Sequence, residues 1–247
     1  QRVSIVTWNI WFSPHARDRR AAMLCAALRD ADADVVCLQE VTTEVLPALR
    51  GLASVGGYCL SDIAWDGDEG YGTVMLARLP VRAFQRHALP TSMGRDLCVA
   101  LVEPPGAPPL AVATAHLESR RWNNDVRAEQ LDVALPLLRQ LAPAAALCGD
   151  FNFDDGWPEE SRLHAAPDFC DVWRAHGRGG PGYTVDTRRN GMTAAHKGTE
   201  KQTRYDRALV RGASPRGITL LGTEAHPDDP SLFVSDHFGL RVELALP

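Results

Sequence analysis

Residues 144–152, AAALCGDFN, are an apolar run that stops at an acid and an amide two positions apart. Such a near-continuous apolar run of strand length fits a strand whose two faces are both covered. Asp150 and Asn152 alternate around Phe151, so in an extended segment both side chains point to one face. An aspartate there can take a proton from water while the amide orients that water or a phosphate oxygen. A turn or a helix cap would use the same residue types.

Working outward, four more strings place polar groups where an apolar run ends. They are Thr7-Trp8-Asn9, Leu38-Gln39-Glu40, His116-Leu117-Glu118-Ser119 and Ser235-Asp236-His237. Strand-like runs are predicted over 3–10, 34–41, 71–77, 97–102, 110–117, 144–152, 205–210 and 238–246. Helices are predicted over 17–31 and 124–141, from apolar residues at i, i+3, i+4 and i+7 spacing, with a short one over 168–176. Asn123 or Asn124 is the expected cap of the second helix, and Pro136 is expected to kink or split it. The EPPGAPP stretch at 103–109 reads as a tight hairpin connection. Many strands with few amphipathic helices point to packed sheets covered outside by helices. No repeat, low-complexity tract or flexible linker divides the 247 residues, so residues 1–247 are expected to form a single domain.

The composition, 45% hydrophobic and 23% charged, is that of an ordinary globular protein. No apolar run approaches the roughly 20 residues that span a bilayer. Gln1-Arg2 leads straight into a strand-like run, and no secretory leader is expected there. The six cysteines form no C-x-x-C pair and are expected to be buried free thiols in a reducing compartment, the cytoplasm. A net charge of −5 argues against a non-specific nucleic-acid coat but leaves room for local phosphate grip. The longest aperiodic stretch is 177–204. Around it Arg188, Arg189, Lys197, Lys201, Arg204 and Arg207 outnumber the acids, making a candidate substrate-gripping loop.

The strings carry a consistent chemistry. Glu40 closes an apolar run, where a lone buried carboxylate is costly and a hard cation such as Mg²⁺ would stabilise it. His237 follows Asp236, and Asp206 lies on another strand-like run. A buried aspartate can orient an imidazole and favour its charged form, which then stabilises negative charge in a transition state. His116 ends a strand, and Ser119 lies close enough in sequence to donate to the same phosphate oxygen. Each string by itself is unspecific; all five in this order are not.

That order (TWN, QE, H-x-x-S, GDxN, SDH) resembles the endonuclease/exonuclease/phosphatase family, the DNase I-like fold, over nearly the whole chain. The resemblance implies a four-layer α/β/β/α sandwich of two packed mixed sheets and a metal-dependent phosphodiesterase. It implies Asn9, Glu40, His116, Asp150, Asn152, Asp206, Asp236 and His237 as catalytic residues. Of these, Glu40, Asn9 and Asp236 would face Mg²⁺, for which Mn²⁺ can substitute.

EGYGTVML at 69–76, HLES at 116–119, DVW at 171–173, YTVDT at 183–187, YDR at 205–207 and SDHFGL at 235–240 look like the tyrosyl-DNA phosphodiesterase 2 branch of that family. This closer likeness implies removal of tyrosine from a DNA 5′ phosphate. It adds Ser119, Tyr71, Arg95, Tyr183 and Arg204 as substrate-binding residues. The expected partner is a DNA 5′ end, with no membrane and a monomeric chain. The alternatives are an abasic-site or general DNA/RNA nuclease, or a phosphatase acting on a lipid or sugar phosphate. Three positions depart from the pattern. Trp11 replaces an acid near the metal, Asp154 replaces a DNA-contacting Arg, and Val185 replaces a base-stacking Trp, so a weaker or different DNA grip is expected.

Overall fold

The computed structural model describes residues 1–62, 70–177 and 179–247. In chain order the strands are β1 (Arg2–Asn9), β2 (Val35–Thr42), β3 (Cys59–Leu60), β4 (Tyr71–Ala77), β5 (Val81–Ala88), β6 (Asp96–Val102) and β7 (Leu110–His116). They continue as β8 (Ala144–Asp150), β9 (Cys170–Asp171), β10 (Val185–Asp186), β11 (Gln202–Thr203), β12 (Asp206–Arg211), β13 (Ser214–Leu221) and β14 (Gly239–Ala245). The helices are α1 (Arg17–Ala31), α2 (Leu46–Gly56), α3 (Asn124–Leu141), α4 (Glu160–His164), α5 (Val172–His176) and α6 (Gly191–Lys197).

One six-stranded sheet has the order β13-β14-β1-β2-β4-β3, the other β5-β6-β7-β8-β12-β9. Both are mixed, because β1 runs parallel to β2 and β7 parallel to β8 while their other neighbours are antiparallel. Alternation decides which side chains meet between the sheets. Ile5, Val35, Cys37 and Met75 of the first sheet pack there with Cys98, Val112, Ala146 and Ala208 of the second. The opposite faces are covered by helices. Leu24 and Leu28 of α1 with Leu49 and Leu52 of α2 pack on Val6, Val36 and Leu38. Leu131, Leu135 and Leu138 of α3 pack on Ala113, Ala145 and Leu147. Each such leucine contributes about 1.5–3 kcal/mol of burial. The expected four layers are therefore present.

The differences from the sequence reading have local causes. β5 and β13 were not anticipated: both are edge strands with partly exposed faces, and β13 carries Pro215 at a register shift, so neither shows an apolar run. α2 is not among the expected helices; it opens with Pro47 in its first turn and buries only Leu46, Leu49, Leu52 and Ala53. Pro136 does not split α3. It and Asp132, whose carbonyl loses its i+4 donor, lie on the solvent side, where water can serve that oxygen. Asn123 sits at the α3 N-cap position, but its amide donates to the Ser119 carbonyl instead (2.7 Å). The aperiodic 177–204 stretch holds the β10–β11 pair and α6, which Asn190 caps through the Thr193 amide. Cys59 is exposed and Cys170 half-buried, unlike the other four free thiols.

Candidate active site

Strand register gathers the predicted residues. His116 and Asp150 are direct partners across the parallel β7–β8 pair, and Asp206 is Asp150's partner across β8–β12. Three functional ends thus stand side by side on one sheet. From the other sheet, Asn9 ends β1 and Glu40 lies near the end of β2, at an irregularity between Leu38 and Val41. Gln39 links the sheets under the site: its amide donates to Thr7 Oγ1 (3.1 Å) and to Thr114 Oγ1 (2.8 Å). This bridging role of Gln39 was not foreseen. Its signal was a fully buried amide beside a predicted functional acid.

Asn9 is the hub of the floor. Its amide nitrogen donates to Glu40 Oε1 and to Asp150 Oδ2, both at 2.9 Å. Its oxygen accepts from the Trp11 backbone N–H (3.0 Å), which fixes the amide's orientation. Asp150 Oδ1 accepts from the Asn152 backbone (2.9 Å). The Asn152 side chain donates to the Leu117 carbonyl (2.9 Å) and approaches Ser119 Oγ (3.4 Å). His237 Nδ1 meets Asp206 Oδ2 at 2.8 Å, and its Nε2 lies 3.9 Å from Asp150 Oδ2. His116 Nε2 is 3.5 Å from the same oxygen.

The electrostatics follow from burial and neighbours. Burial works against a charged His237, but Asp206, Asp150 and Asp236 outweigh it and raise its pKa to about 10, so the ring is an imidazolium at neutral pH. Burial alone would raise Asp150, yet the charge of His237, with the donors of Asn9 and the Asn152 backbone, holds it below the ordinary carboxylate value. His116 goes the other way: burial, then Arg95, lowers its pKa to about 3, and it is neutral. Burial and then the charge of Asp236 push Glu40 up to about 7.

Glu40, His116 and Asp150 have donor atoms within 4.8 Å of one another, as do Asp150, Asp206 and His237. The first group suits a cation: Glu40 lines the cleft and is a carboxylate short of positive charge. Next to it lie the other two expected metal ligands, Asn9 and Asp236. Asn9 turns its nitrogen, not its oxygen, toward the carboxylates, and Asp236 is paired with Lys197 Nζ (3.2 Å) rather than grouped with Glu40. Asp236 still lines the cleft. His237 and Asp206 already satisfy each other, so the second group has no need of an ion.

Glu40, His116, Asp150, Asn152, Asp236 and His237 line a cleft of about 730 Å³. Trp11, Glu40, Arg120 and Asn152 on its walls all have positive φ, between 54° and 76°. Non-glycine residues held there cost free energy and recur at functional sites. Three short anchors hold the Ser235–His237 string: Ser235 Oγ on the Asn9 carbonyl (2.6 Å), Asn190 on the Ser235 carbonyl (2.8 Å) and Thr193 on the Asp236 carbonyl (2.7 Å). Asn190 and Thr193 come from the stretch that sequence periodicity left blank.

Among the expected substrate-binding residues, Tyr71 and Ser119 line the cleft, and Arg95 stands behind them, bonded to Tyr71 Oη (3.1 Å) and Ser119 Oγ (3.3 Å). Tyr183 does not line it. Neither does Arg204, whose buried guanidinium is held by Asp155 (2.6 Å) and Asp171 (2.9 Å). The basic-loop expectation needs the same correction. Lys197 and Lys201 reach the cleft, whereas Arg207 joins the buried acid cluster, Arg188 pairs with Glu200 and Arg189 lies over Phe238. Asp154 accepts from the Arg204 backbone, and Val185 is a buried wall residue of the cleft. Glu69, the first residue of the EGYGTVML likeness, lies outside the described residues.

Known proteins agree with this layout. TDP2 of D. rerio, solved with a single-strand DNA product, superposes with a TM-score of 0.85 at 26% identity, covering 99% of each chain. A truncated TDP2 of Caenorhabditis elegans gives 0.85 at 24% identity, covering 99% of this chain and 97% of that one. An endonuclease/exonuclease/phosphatase family protein of Bacteroides thetaiotaomicron shares the fold at 15% identity, with a TM-score of 0.80 over 100% and 98% of the chains. No curated protein sequence matches. Among the described residues, no helix is long and apolar enough to cross a membrane. The sequence profile of the Endonuclease/Exonuclease/phosphatase family matches residues 6–237, and the chain belongs to that family of phosphodiester-cleaving hydrolases.

Proposed function

We propose that the chain is a Mg²⁺-dependent phosphodiesterase that hydrolyses 5′-phosphotyrosyl-DNA adducts and leaves a 5′-phosphate, a DNA-repair reaction. The observation that carries the reading is the side-by-side row His116, Asp150 and Asp206, closed by His237 and opening on a cleft lined by Tyr71, Lys197 and Lys201. Likeness to a DNA-bound TDP2 supports the substrate class. In this reading the protein acts as a single-domain monomer in the cytoplasm, in keeping with its free thiols.

Water attacks phosphorus in line with the leaving oxygen. Asp150, ionised and held by Asn9 and Asn152, takes the proton. The imidazolium of His237, oriented by Asp206, stabilises the charge gathering on the phosphoryl oxygens. Neutral His116 and Ser119, which also line the cleft, hold the phosphate. Glu40 would hold the divalent ion, whose bound form supplies positive charge to the phosphate oxygens. The bond to the tyrosine oxygen breaks, and a phenolate with a pKa near 10 departs without a dedicated acid.

Cleavage of a short 5′-phosphotyrosyl DNA oligomer, with Mg²⁺ and with EDTA, tests the reading. Metal-dependent release of tyrosine and a 5′-phosphate end is expected. No release alongside turnover of abasic duplex, RNA, or a lipid or sugar phosphate would favour the second reading. The observation on its side is that Val185 stands in the cleft wall, and Asp154 accepts from the Arg204 backbone, at the two positions where the tyrosyl-DNA enzymes carry DNA-contacting side chains.

A further inference from the structure

We propose that the corner Arg120-Arg121-Trp122, together with Trp157, is a stacking platform for the single-stranded DNA that leads away from the scissile phosphate. The inference rests on the reading that the substrate is a DNA end. Trp122 is 76% exposed, by far the most exposed aromatic side chain among the described residues. A single exposed apolar side chain is ordinary, but Trp122 follows directly on Arg120 and Arg121, which line the cleft. It lies three residues beyond Ser119, a reach of at most roughly 11 Å, so it is within a few nucleotides of the phosphate site.

The surroundings say what the partner is. Arg120, Arg121 and Trp157 line the rim of the cleft itself, so the patch continues the substrate site. The Arg121 guanidinium lies 5.1 Å from the centre of the Trp157 ring. Exposed arginines beside aromatic faces match the alternation of phosphate and base in a single strand. A protein surface seeking an apolar patch would not be met by two adjacent cations.

The corner is also held rigid from below, which limits the ordering cost of binding. Arg127 is fully buried and donates to the carbonyls of Glu118 (2.9 Å), Arg120 (2.6 Å) and Arg121 (3.3 Å), while its Nε meets Glu159, also fully buried (2.6 Å). Arg120 adopts φ 76°, a conformation that a non-glycine residue keeps only where its surroundings fix it. Such a platform supplies a stacking surface that Val185 does not.

The test is binding of a fluorescein-labelled, 5′-phosphorylated single-stranded DNA octamer to the full chain with Mg²⁺, followed by anisotropy and by quenching of tryptophan fluorescence. Trp122→Ala should weaken the dissociation constant by about 5- to 150-fold, the loss of one stacked base. Trp122→Phe should recover most of it, since a flat ring remains. Unchanged affinity in Trp122→Ala, equal weakening in Trp122→Phe, or no binding by the unsubstituted protein would each overturn the platform. Cleavage of the phosphotyrosyl oligomer is scored separately. Trp122-dependent binding without cleavage keeps the platform and defeats the proposed function; cleavage with Trp122-independent binding does the reverse.

Discussion

Replacing Gly149 by alanine tests how the strand register makes the site. Gly149 has φ 145°, a conformation that L side chains rarely adopt, and faces Ala115 across the parallel β7–β8 pair. A Cβ built there would lie 2.0 Å from the Ala115 carbonyl oxygen and 3.0 Å from its carbon. The obstacle is backbone in a buried strand, so no side chain can swing away. Overpacking of this kind costs about 1–3 kcal/mol, and the strained φ adds about 1–3 kcal/mol. For a chain of this size each kcal/mol lowers Tm by roughly 2–4 °C, so a fall of roughly 5–20 °C is expected. The next residues on the two strands are His116 and Asp150, which approach to 3.5 Å. Pushing the strands apart separates them, and a displacement of about 1 Å can cost on the order of 100-fold in rate. Circular-dichroism melting together with phosphodiester cleavage reads both effects. An unchanged Tm with full activity would refute the claim that this contact sets the site.

Asp150→Asn should fold normally and lose roughly 10²- to 10⁴-fold in kcat; near-wild-type turnover would remove Asp150 as the base. Because His237 is raised from 6.5 to about 10, its contribution is complete below pH 6.5 and lost as pH rises through about 10. Asp206→Asn removes the largest support for that charge, so the alkaline limb of kcat should move down toward the ordinary histidine value. If it reached that value, the variant would run roughly 25-fold slower at pH 8 than at pH 6; a flat profile across that range would contradict the dyad. Glu159→Ala leaves Arg127 buried and without its acid, for an expected loss of about 3–5 kcal/mol in urea unfolding. A loss under about 1 kcal/mol would mean that water or the three carbonyls suffice.

Much of the fold was legible because its central strands are apolar on both faces. β7 and β8 and the first half of β2 are near-continuous apolar runs, β1 carries Val3, Ile5, Val6 and Trp8 among polar residues, and each leads into one of the polar strings. Edge strands β5 and β13 face solvent and carry no such run, which is why composition hid them. Helices α2 and α6 are short, and their signals are a proline, a cap and a few apolar positions.

For the site, the sequence by itself determined which chemical groups are available and that Asn9, His116 and Asp150 end strands; Asp206 instead begins β12, and the Ser235–His237 string lies in the loop before β14. Residue type and a two-residue period are local properties, and Asp150-x-Asn152 carries both. Charge and contact were decided only in three dimensions. Arg204, Arg207 and Lys201 look alike as basic residues of one segment, yet two are clamped by Asp155 and Asp171 while the third opens on the cleft. His116 and His237 look alike as histidines after apolar or acidic neighbours. One is held neutral by burial and Arg95, and the other is charged by Asp206 and Asp150. Coulomb energy and desolvation depend on distance through space, and those distances exist only once β7, β8, β12 and the Ser235–His237 string have been brought together.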